Sequence, residues 1–292
     1  MNLLVVYHEP HTRWTVFHPF KKYHEYLETI YPNVEFMPCN HRYDGNPGGL
    51  FSPHIMTIQN KDTKKYIIIS YWDRINDIRH NVLDFKPENC IGIYTSAGVT
   101  PQLNVMTGHV ETMNFIPFSY MMYSLDYEDL SLKSKPFELK ENNNLHFRGY
   151  LYNERLQLKN LGEINITDEK LNSWDYYEEL NNNKINLSLN GAAEICNRDI
   201  EILSTQSVLF RPILTQKFHN ELIPNYHYVG FEYSYDTVKQ NEIILNMYNE
   251  IKDNTEYLKF ISQNGYEWYK NNGTVDSNFR ILTEIVKLET LN

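Results

Sequence analysis

An arginine and two glutamates lie around a predicted turn in the segment NGAAEICNRDIEILSTQSVLFRP (190–212). Arg198 and Glu201 are three residues apart, so on a helix they share one face, one turn from each other. An arginine guanidinium binds phosphate through parallel hydrogen bonds, and a carboxylate accepts hydrogen bonds from hydroxyl groups. The residue types and their spacing therefore fit a ligand that carries a diphosphate next to a ribose.

The predicted elements around this segment place it where ligands bind in α/β proteins. KINLSLN (184–190) and SVLFRP (207–212) are predicted strands, and the residues between them predict a helix that begins near Asn197. Ligands lie beyond the carboxyl ends of such strands, and a helix N-terminus there offers free N–H groups to a phosphate. Gly191 keeps the loop small enough for a phosphate or sugar to approach the backbone.

A plainer interpretation explains the same residues. Arg198 and Glu201 could form a surface ion pair worth a few tenths of a kcal/mol, with Asn197 acting only as a helix cap. From the spacing alone the two interpretations are equally supported.

The first half of the chain predicts a parallel sheet. Apolar runs at 2–7, 34–38, 65–72 and 90–96 predict strands, and His18-Pro19-Phe20 opens a helix between the first two. A strand, helix and strand joined by a connection of this length form a parallel βαβ unit.

A second βα domain is predicted after a break in the pattern. Residues 132–144 lose periodicity and gain Pro, Lys and Asn, as interdomain connections do. We therefore expect an α/β protein with two Rossmann-like domains that face a cleft, at 1–140 and 141–292. The tail after Asp236 predicts three helical stretches, with breaks at Gly265 and 271–273.

Composition and missing motifs exclude several function classes. With Lys+Arg 27 against Asp+Glu 37, the formal charge is -10, from which we expect no nucleic-acid partner. No run approaches 18 apolar residues and the N-terminal run is too short for a signal peptide, so a cytoplasmic protein without a membrane span is expected. The chain has no HExxH, P-loop, GxGxxG or DxD motif, so neither a metal nor a bound cofactor is expected.

Three segments together carry a family resemblance. Glu194-Ile-Cys-Asn-Arg-Asp-Ile-Glu201 with the strand after it resembles the second half of GT-B glycosyltransferases, most closely the CAP10-like and protein O-glucosyltransferase group. FRGYLYNERLQL (147–158) resembles that group's entry into its second domain, and NGYEWYKNNGTVD (264–276) its C-terminal helices. The likeness spans residues 145–280.

The resemblance implies roles for individual residues. Glu201 matches the family's ribose-binding glutamate, and Arg198 matches an arginine that contacts the donor diphosphate. Glu194 stands near the family's first glutamate, although the interval is one residue shorter than usual. Apart from the resemblance, Arg148 or Arg155 is a candidate helper of Arg198 at the diphosphate.

A catalytic base is sought in the first half. Asp73 directly follows the apolar run 65–72, a position that resembles the strand-then-Asp context of the CAP10-like catalytic aspartate. A cap on the next helix, or a pair with Arg74, explains Asp73 equally well. His8 and His11 follow the first predicted strand and are candidate acceptor-side residues.

These features together predict a metal-independent glycosyltransferase of glycan biosynthesis. It would move a hexosyl or pentosyl group from a nucleoside diphosphate sugar, UDP-linked by expectation, to a hydroxyl of a glycan or other acceptor. The alternative is a catalytically silent GT-B-like module that binds a nucleotide or glycan. A DNA-base glucosyltransferase shares the fold but uses a basic groove, and the charge of -10 counts against it.

Overall fold

The computed structural model of the chain describes residues 1–7, 18–38, 55–70, 87–95, 115–117, 129–149, 155, 158, 164–190, 194–215 and 219–292. The chain divides into two compact units. The first comprises residues 1–124, 216–221 and 275–292, and the second comprises residues 125–215 and 222–274. Each unit contains one β-sheet and its own cluster of buried apolar side chains.

The first unit contains a six-stranded sheet with the order β2-β1-β3-β4-β5-β6. Its strands are β1 (Leu3–Tyr7), β2 (Val34–Pro38), β3 (Ile55–Asn60), β4 (Tyr66–Ser70), β5 (Cys90–Thr95) and β6 (Phe115–Pro117). β3 runs antiparallel to both β1 and β4, whereas the other pairs are parallel. The prediction of a purely parallel sheet is therefore wrong, because a short connection after Asn60 turns the chain back on itself, which only antiparallel strands allow.

Six α-helices lie wholly within the described residues: α1 (His18–Ile30), α2 (Ser173–Asn182), α3 (Asn197–Ser204), α4 (Thr237–Ile251), α5 (Thr255–Asn272) and α6 (Val275–Ile285). In the first unit α1 buries Tyr23 and Leu27, four residues apart, on the apolar face that the sequence predicts. Tyr23 and Tyr26 both meet the Phe279 ring of α6 edge-on. The last long helix of the chain thus completes the core around the first helix.

The second unit contains a five-stranded sheet in which every pair is parallel. Its strands are β7 (Asn142–Arg148), β8 (Asn165–Thr167), β9 (Asn183–Leu187), β10 (Val208–Pro212) and β11 (Val229–Phe231). The order β11-β10-β9-β7-β8 means that the chain reverses its direction of travel across the sheet between β7 and β9. Ligands of open parallel sheets bind at such a switch point, beyond the carboxyl ends of the strands.

The C-terminal helices correct one prediction about glycine. Gly265 does not break a helix but lies inside α5. A Cβ at this position would lie 2.5 Å from the backbone oxygen of His227 and 2.8 Å from a methyl group of Leu203, so glycine lets the helix approach its neighbours. Among the helices of the described residues, none has the length and apolar character needed to cross a membrane.

Candidate functional site

Arg198 spans the switch point of the second sheet. It is the second residue of α3, which begins at Asn197 as predicted. The guanidinium carbon lies 4.7 Å from the centre of the Phe147 ring near the end of β7. A Cβ on Gly149 would lie 2.0 Å from Nη2 of Arg198, so the guanidinium rests directly over this glycine. Phe147 and Gly149 therefore form a seat for a side chain that comes from the opposite side of the switch point.

The guanidinium of Arg198 is only partly satisfied in its seat. The Tyr176 hydroxyl contacts it, but Nε and Nη1 are buried and have no hydrogen-bond acceptor among the residues that the structure describes. A buried N–H group without an acceptor costs about 1–3 kcal/mol, and more when the group is charged. An anion bound at this point would supply the missing acceptors.

Arg155 brings a second positive charge to the same ring. Its guanidinium carbon lies 5.9 Å from the centre of the Phe147 ring. Nη2 of Arg155 donates to the backbone oxygens of Leu189 and Asn190 at 2.7 and 2.6 Å, just beyond the end of β9. Two of the predicted donor-binding arginines thus contact the same aromatic ring.

Glu201 lies one turn deeper in α3 and is only 7% exposed. Its Oε2 accepts a hydrogen bond of 2.8 Å from the Tyr176 hydroxyl. The interpretation of Arg198 and Glu201 as a surface ion pair does not fit a carboxylate buried to this degree. Tyr176, which sequence analysis assigned no role, links the two predicted site residues.

The cap of α3 differs from the prediction. The N-cap residue is Cys196, whose backbone N–H donates to the Asp199 carboxylate at 2.7 Å, and Asn197 is an exposed residue of the first turn. The cap role considered for Asn197 is therefore wrong, because the turn of the chain comes one residue earlier. Its role in donor binding stays a prediction.

A buried arginine holds the loop that leads into α3. Arg211 of β10 is 1% exposed, and its Nη1 donates to Asp199 at 2.6 Å. Nη2 donates to Oδ1 of Asn190 at 3.2 Å and to the backbone oxygen of Glu194 at 2.9 Å, and Nε donates to the backbone oxygen of Pro212 at 3.0 Å. Arg211 thus holds the chain on both sides of residues 191–193 and at the first turn of α3, a role that a charged residue in the buried run VLFRP could have indicated.

Glu194 also acts on the loops at this edge of the sheet. Its Oε1 accepts from the backbone N–H of Thr215 at 2.6 Å, and its Oε2 accepts from the Thr215 hydroxyl at 3.0 Å. This pair connects the loop after β9 to the segment after β10. Glu194 therefore lies at the predicted carboxyl edge of the sheet, where its carboxylate is bound by Thr215.

Arg148 belongs to a different cluster. Its Nε and Nη2 donate to the Glu179 carboxylate at 2.6 and 2.5 Å, and Nε2 of His146 lies 2.6 Å from the same carboxylate. Burial raises the pKa of Glu179, but the hydrogen bonds from His146 and Arg148 outweigh burial and lower it to about 2. Since neighbouring residues of a strand point to opposite faces, Arg148 is not brought to the Phe147 ring.

Four predicted site residues lie outside the described residues, namely Asp73, His8, His11 and Gly191. Their roles stay predictions. Within the described residues, no group of three or more His, Cys, Asp or Glu side chains could hold a metal ion.

The comparisons with known proteins give weak likenesses. No protein-family model matches the sequence, and no curated protein matches it. Three similar solved structures are described as alpha-glucosyltransferases in complex with UDP and a 13-mer DNA, two with an HMU base and one with a central A:G mismatch. At the values found, the likeness assigns neither a family nor a function to this chain.

The three alignments differ in extent. The first has 10% identity and a TM-score of 0.42, covering 68% of this chain and 65% of the other, slightly less than two thirds of its length. The second has 12% identity and a TM-score of 0.40, covering 69% and 72%. The third has 8% identity and a TM-score of 0.45, covering 97% and 79%.

These structures correct one expectation. The sequence analysis excludes a nucleic-acid partner on the net charge of -10. That exclusion is wrong, since all three similar structures are complexes with DNA. The physical reason is that a local patch of charge, and not the sum over the chain, governs binding of a polyanion.

Proposed function

We propose that this chain is a GT-B type glycosyltransferase that binds a nucleoside diphosphate sugar at the carboxyl edge of its second sheet. The donor is UDP-linked in this proposal, and the sugar moves to a hydroxyl group of an acceptor. The activity and the donor both rest on the side chains around the switch point between β7 and β9.

One observation carries the proposal. The Arg198 guanidinium lies over Gly149 at the switch point, and two of its buried nitrogens lack an acceptor among the described residues. Burying part of an arginine without acceptors is unfavourable, so an anionic ligand accounts for the arrangement better than packing does. Arg155 on the same ring adds the second charge that a diphosphate would neutralise.

Each remaining residue has a role in this proposal. The carboxylate of Glu201 accepts hydrogen bonds from the ribose hydroxyls, three residues and a rise of about 4.5 Å along α3 from Arg198. In this proposal Asn197 and Gly191 contact the diphosphate, while Glu194, bound by Thr215, holds the chain just before α3.

The transfer step requires a base and a stabilised leaving group. The acceptor oxygen attacks the anomeric carbon while the bond from that carbon to the diphosphate oxygen breaks. The acceptor proton passes to the carboxylate of Asp73, and the sugar is transferred with inversion. The leaving diphosphate gains negative charge beside Arg198 and Arg155, so the step needs no metal ion.

The donor site is tested with Arg198→Gln, with exposed Arg280→Gln as the matched control. UDP binding is measured by calorimetry, and UDP-sugar hydrolysis is measured with EDTA present. Loss of the charge-assisted hydrogen bonds should weaken UDP binding about 100-fold, while the melting temperature stays nearly unchanged. Unchanged UDP binding by the variant, or no binding of UDP, GDP, ADP or TDP sugars by the wild type, would overturn the proposal.

A second experiment separates an enzyme from a silent module. Wild type and Asp73→Asn are incubated with the donor and with an acceptor panel of glycans and a 13-mer DNA containing an HMU base. Transfer by the wild type, together with intact UDP binding but no transfer by Asp73→Asn, is the expected result. Donor binding without hydrolysis or transfer in the wild type would establish the silent binding module.

A further inference from the structure

Two adjacent tyrosines of α2 reach different parts of α3. Tyr177 is buried, and its hydroxyl donates to the backbone oxygen of Ser204 at the end of α3 at 3.3 Å. Tyr176 is half-buried, and its hydroxyl donates to the carboxylate of Glu201 at 2.8 Å. The Tyr177 hydrogen bond ends on a backbone atom of α3, as a contact that only packs two helices together does. The Tyr176 hydrogen bond ends on a side chain of the candidate site.

The Tyr176 hydroxyl is connected on both sides. A phenol has one O–H donor and can also accept a hydrogen bond. Its donor is used by Glu201, so its lone pairs face the guanidinium of Arg198, which it contacts. Arg198, Tyr176 and Glu201 therefore form a continuous row in which each group fixes the orientation of the next.

A fixed carboxylate matters for recognition of a diol. Ionised Glu accepts hydrogen bonds only, at about four lone-pair sites, and Tyr176 occupies one of them. Held by the phenol, the carboxylate has its plane set before a ligand arrives, which lowers the entropy lost on binding. Two neighbouring ribose hydroxyls can then bind the two oxygens together, whereas a 2′-deoxyribose offers only one of them.

We propose that Tyr176 is a positioning residue that makes the site selective for ribonucleotides over 2′-deoxyribonucleotides, by holding the carboxylate of Glu201 for the ribose diol. The proposal rests on the proposed donor site. It adds a residue from α2 to a donor site that the sequence analysis built from the β9–α3 segment with Arg148 and Arg155.

The test compares the dissociation constants of UDP and 2′-deoxy-UDP in three forms of the full chain. In the wild type, 2′-deoxy-UDP lacks one hydrogen bond to a charged group, so its dissociation constant should be about tenfold higher than that of UDP. In Tyr176→Phe this ratio should fall to about threefold or less, because the carboxylate is no longer held. Tyr177→Phe removes a hydroxyl between the same two helices and should keep the wild-type ratio.

The outcomes separate the two proposals. Equal ratios in Tyr176→Phe and the wild type, with UDP still bound, would reject the role of Tyr176 and leave the donor site intact. Loss of selectivity in Tyr177→Phe as well would show that general packing of α2 on α3 sets the ratio, which also rejects it. If the wild type binds neither nucleotide, the donor site itself is wrong.

Discussion

The surroundings of Arg211 and of Arg198 show two ways in which a protein holds an arginine with buried nitrogen atoms. Arg211 finds a carboxylate, a side-chain amide oxygen and two backbone oxygens inside the fold. Arg198, on the neighbouring loop and helix, rests on an aromatic ring and a glycine and leaves two nitrogens without an acceptor among the described residues. The first arrangement stabilises the fold, whereas in our proposal the second is completed by the diphosphate of the donor. The difference lies in the acceptors and could not be read from the residue type.

The largest expected effect comes from replacing Arg211, whose hydrogen bonds are all made inside the fold. Arg211→Ala leaves the buried carboxylate of Asp199 without its cation and removes the hydrogen bonds to Asn190 and Glu194. Removing one partner of a buried pair costs about 3–5 kcal/mol, so we expect the free energy of unfolding in urea to fall by that amount. The double variant Arg211→Met with Asp199→Leu removes both charges and should recover most of the loss. A single variant as stable as the wild type would contradict the assigned role.

A smaller effect is expected from a substitution at Gly149, which lies under the guanidinium of Arg198. In Gly149→Ala the added Cβ would lie 2.0 Å from Nη2 of Arg198, so the flexible guanidinium must move. We expect UDP binding to weaken about tenfold, measured by calorimetry, while the unfolding free energy changes by less than about 1 kcal/mol.

Gly273→Ala is the control for that substitution. Its Cβ would meet the Tyr269 ring at 2.5 Å, just after the last turn of α5, and it should change stability without changing UDP binding. If Gly149→Ala binds UDP like the wild type, the seat does not set the position of Arg198.

The sequence predicted the elements that depend on local pattern. β9 and β10 overlap the predicted strands 184–190 and 207–212, and α3 begins at the predicted Asn197, so the strands and the helix around Arg198 are confirmed. β3 was not predicted, because its six residues, IMTIQN, show neither a long apolar run nor an adjacent turn motif with glycine. Its antiparallel pairing with β4 follows from the short connection after Asn60, whereas its pairing with β1 joins residues far apart in the chain, which local pattern does not show.

The contacts that make the site were beyond local pattern. Phe147 and Gly149 meet Arg198 across some fifty residues of chain, and Tyr176 meets Glu201 from another helix. Helical spacing can place Arg198 and Glu201 on one face. It cannot show which distant side chains supply their hydrogen-bond partners. Gly265 is a further case in which local pattern was not enough. A glycine is needed there because a backbone oxygen of His227 lies close, and not because the helix that contains it ends.

Arg148 extends the comparison to a third arginine, which is satisfied but lies nearer the surface. Its partner Glu179 has a pKa of about 2 in the folded chain, below the ordinary value of 4.5, because the hydrogen bonds from His146 and Arg148 outweigh burial. A carboxyl whose folded pKa is lowered stabilises the fold above its ordinary pKa, and this contribution is lost as the pH falls toward the folded pKa. Glu179→Gln should therefore be less stable than the wild type at pH 7.

The pH dependence of that difference is the smallest and most specific effect expected. In thermal unfolding, the gap between Glu179→Gln and the wild type should narrow as the pH falls from about 4.5 toward 2. Glu178→Gln, at an exposed position of the same helix, should follow the wild type throughout. A gap that stays constant with pH would mean that Glu179 acts through packing and not through its charge. Arg148 would then be held by shape, unlike Arg211, whose buried ion pair with Asp199 depends on charge.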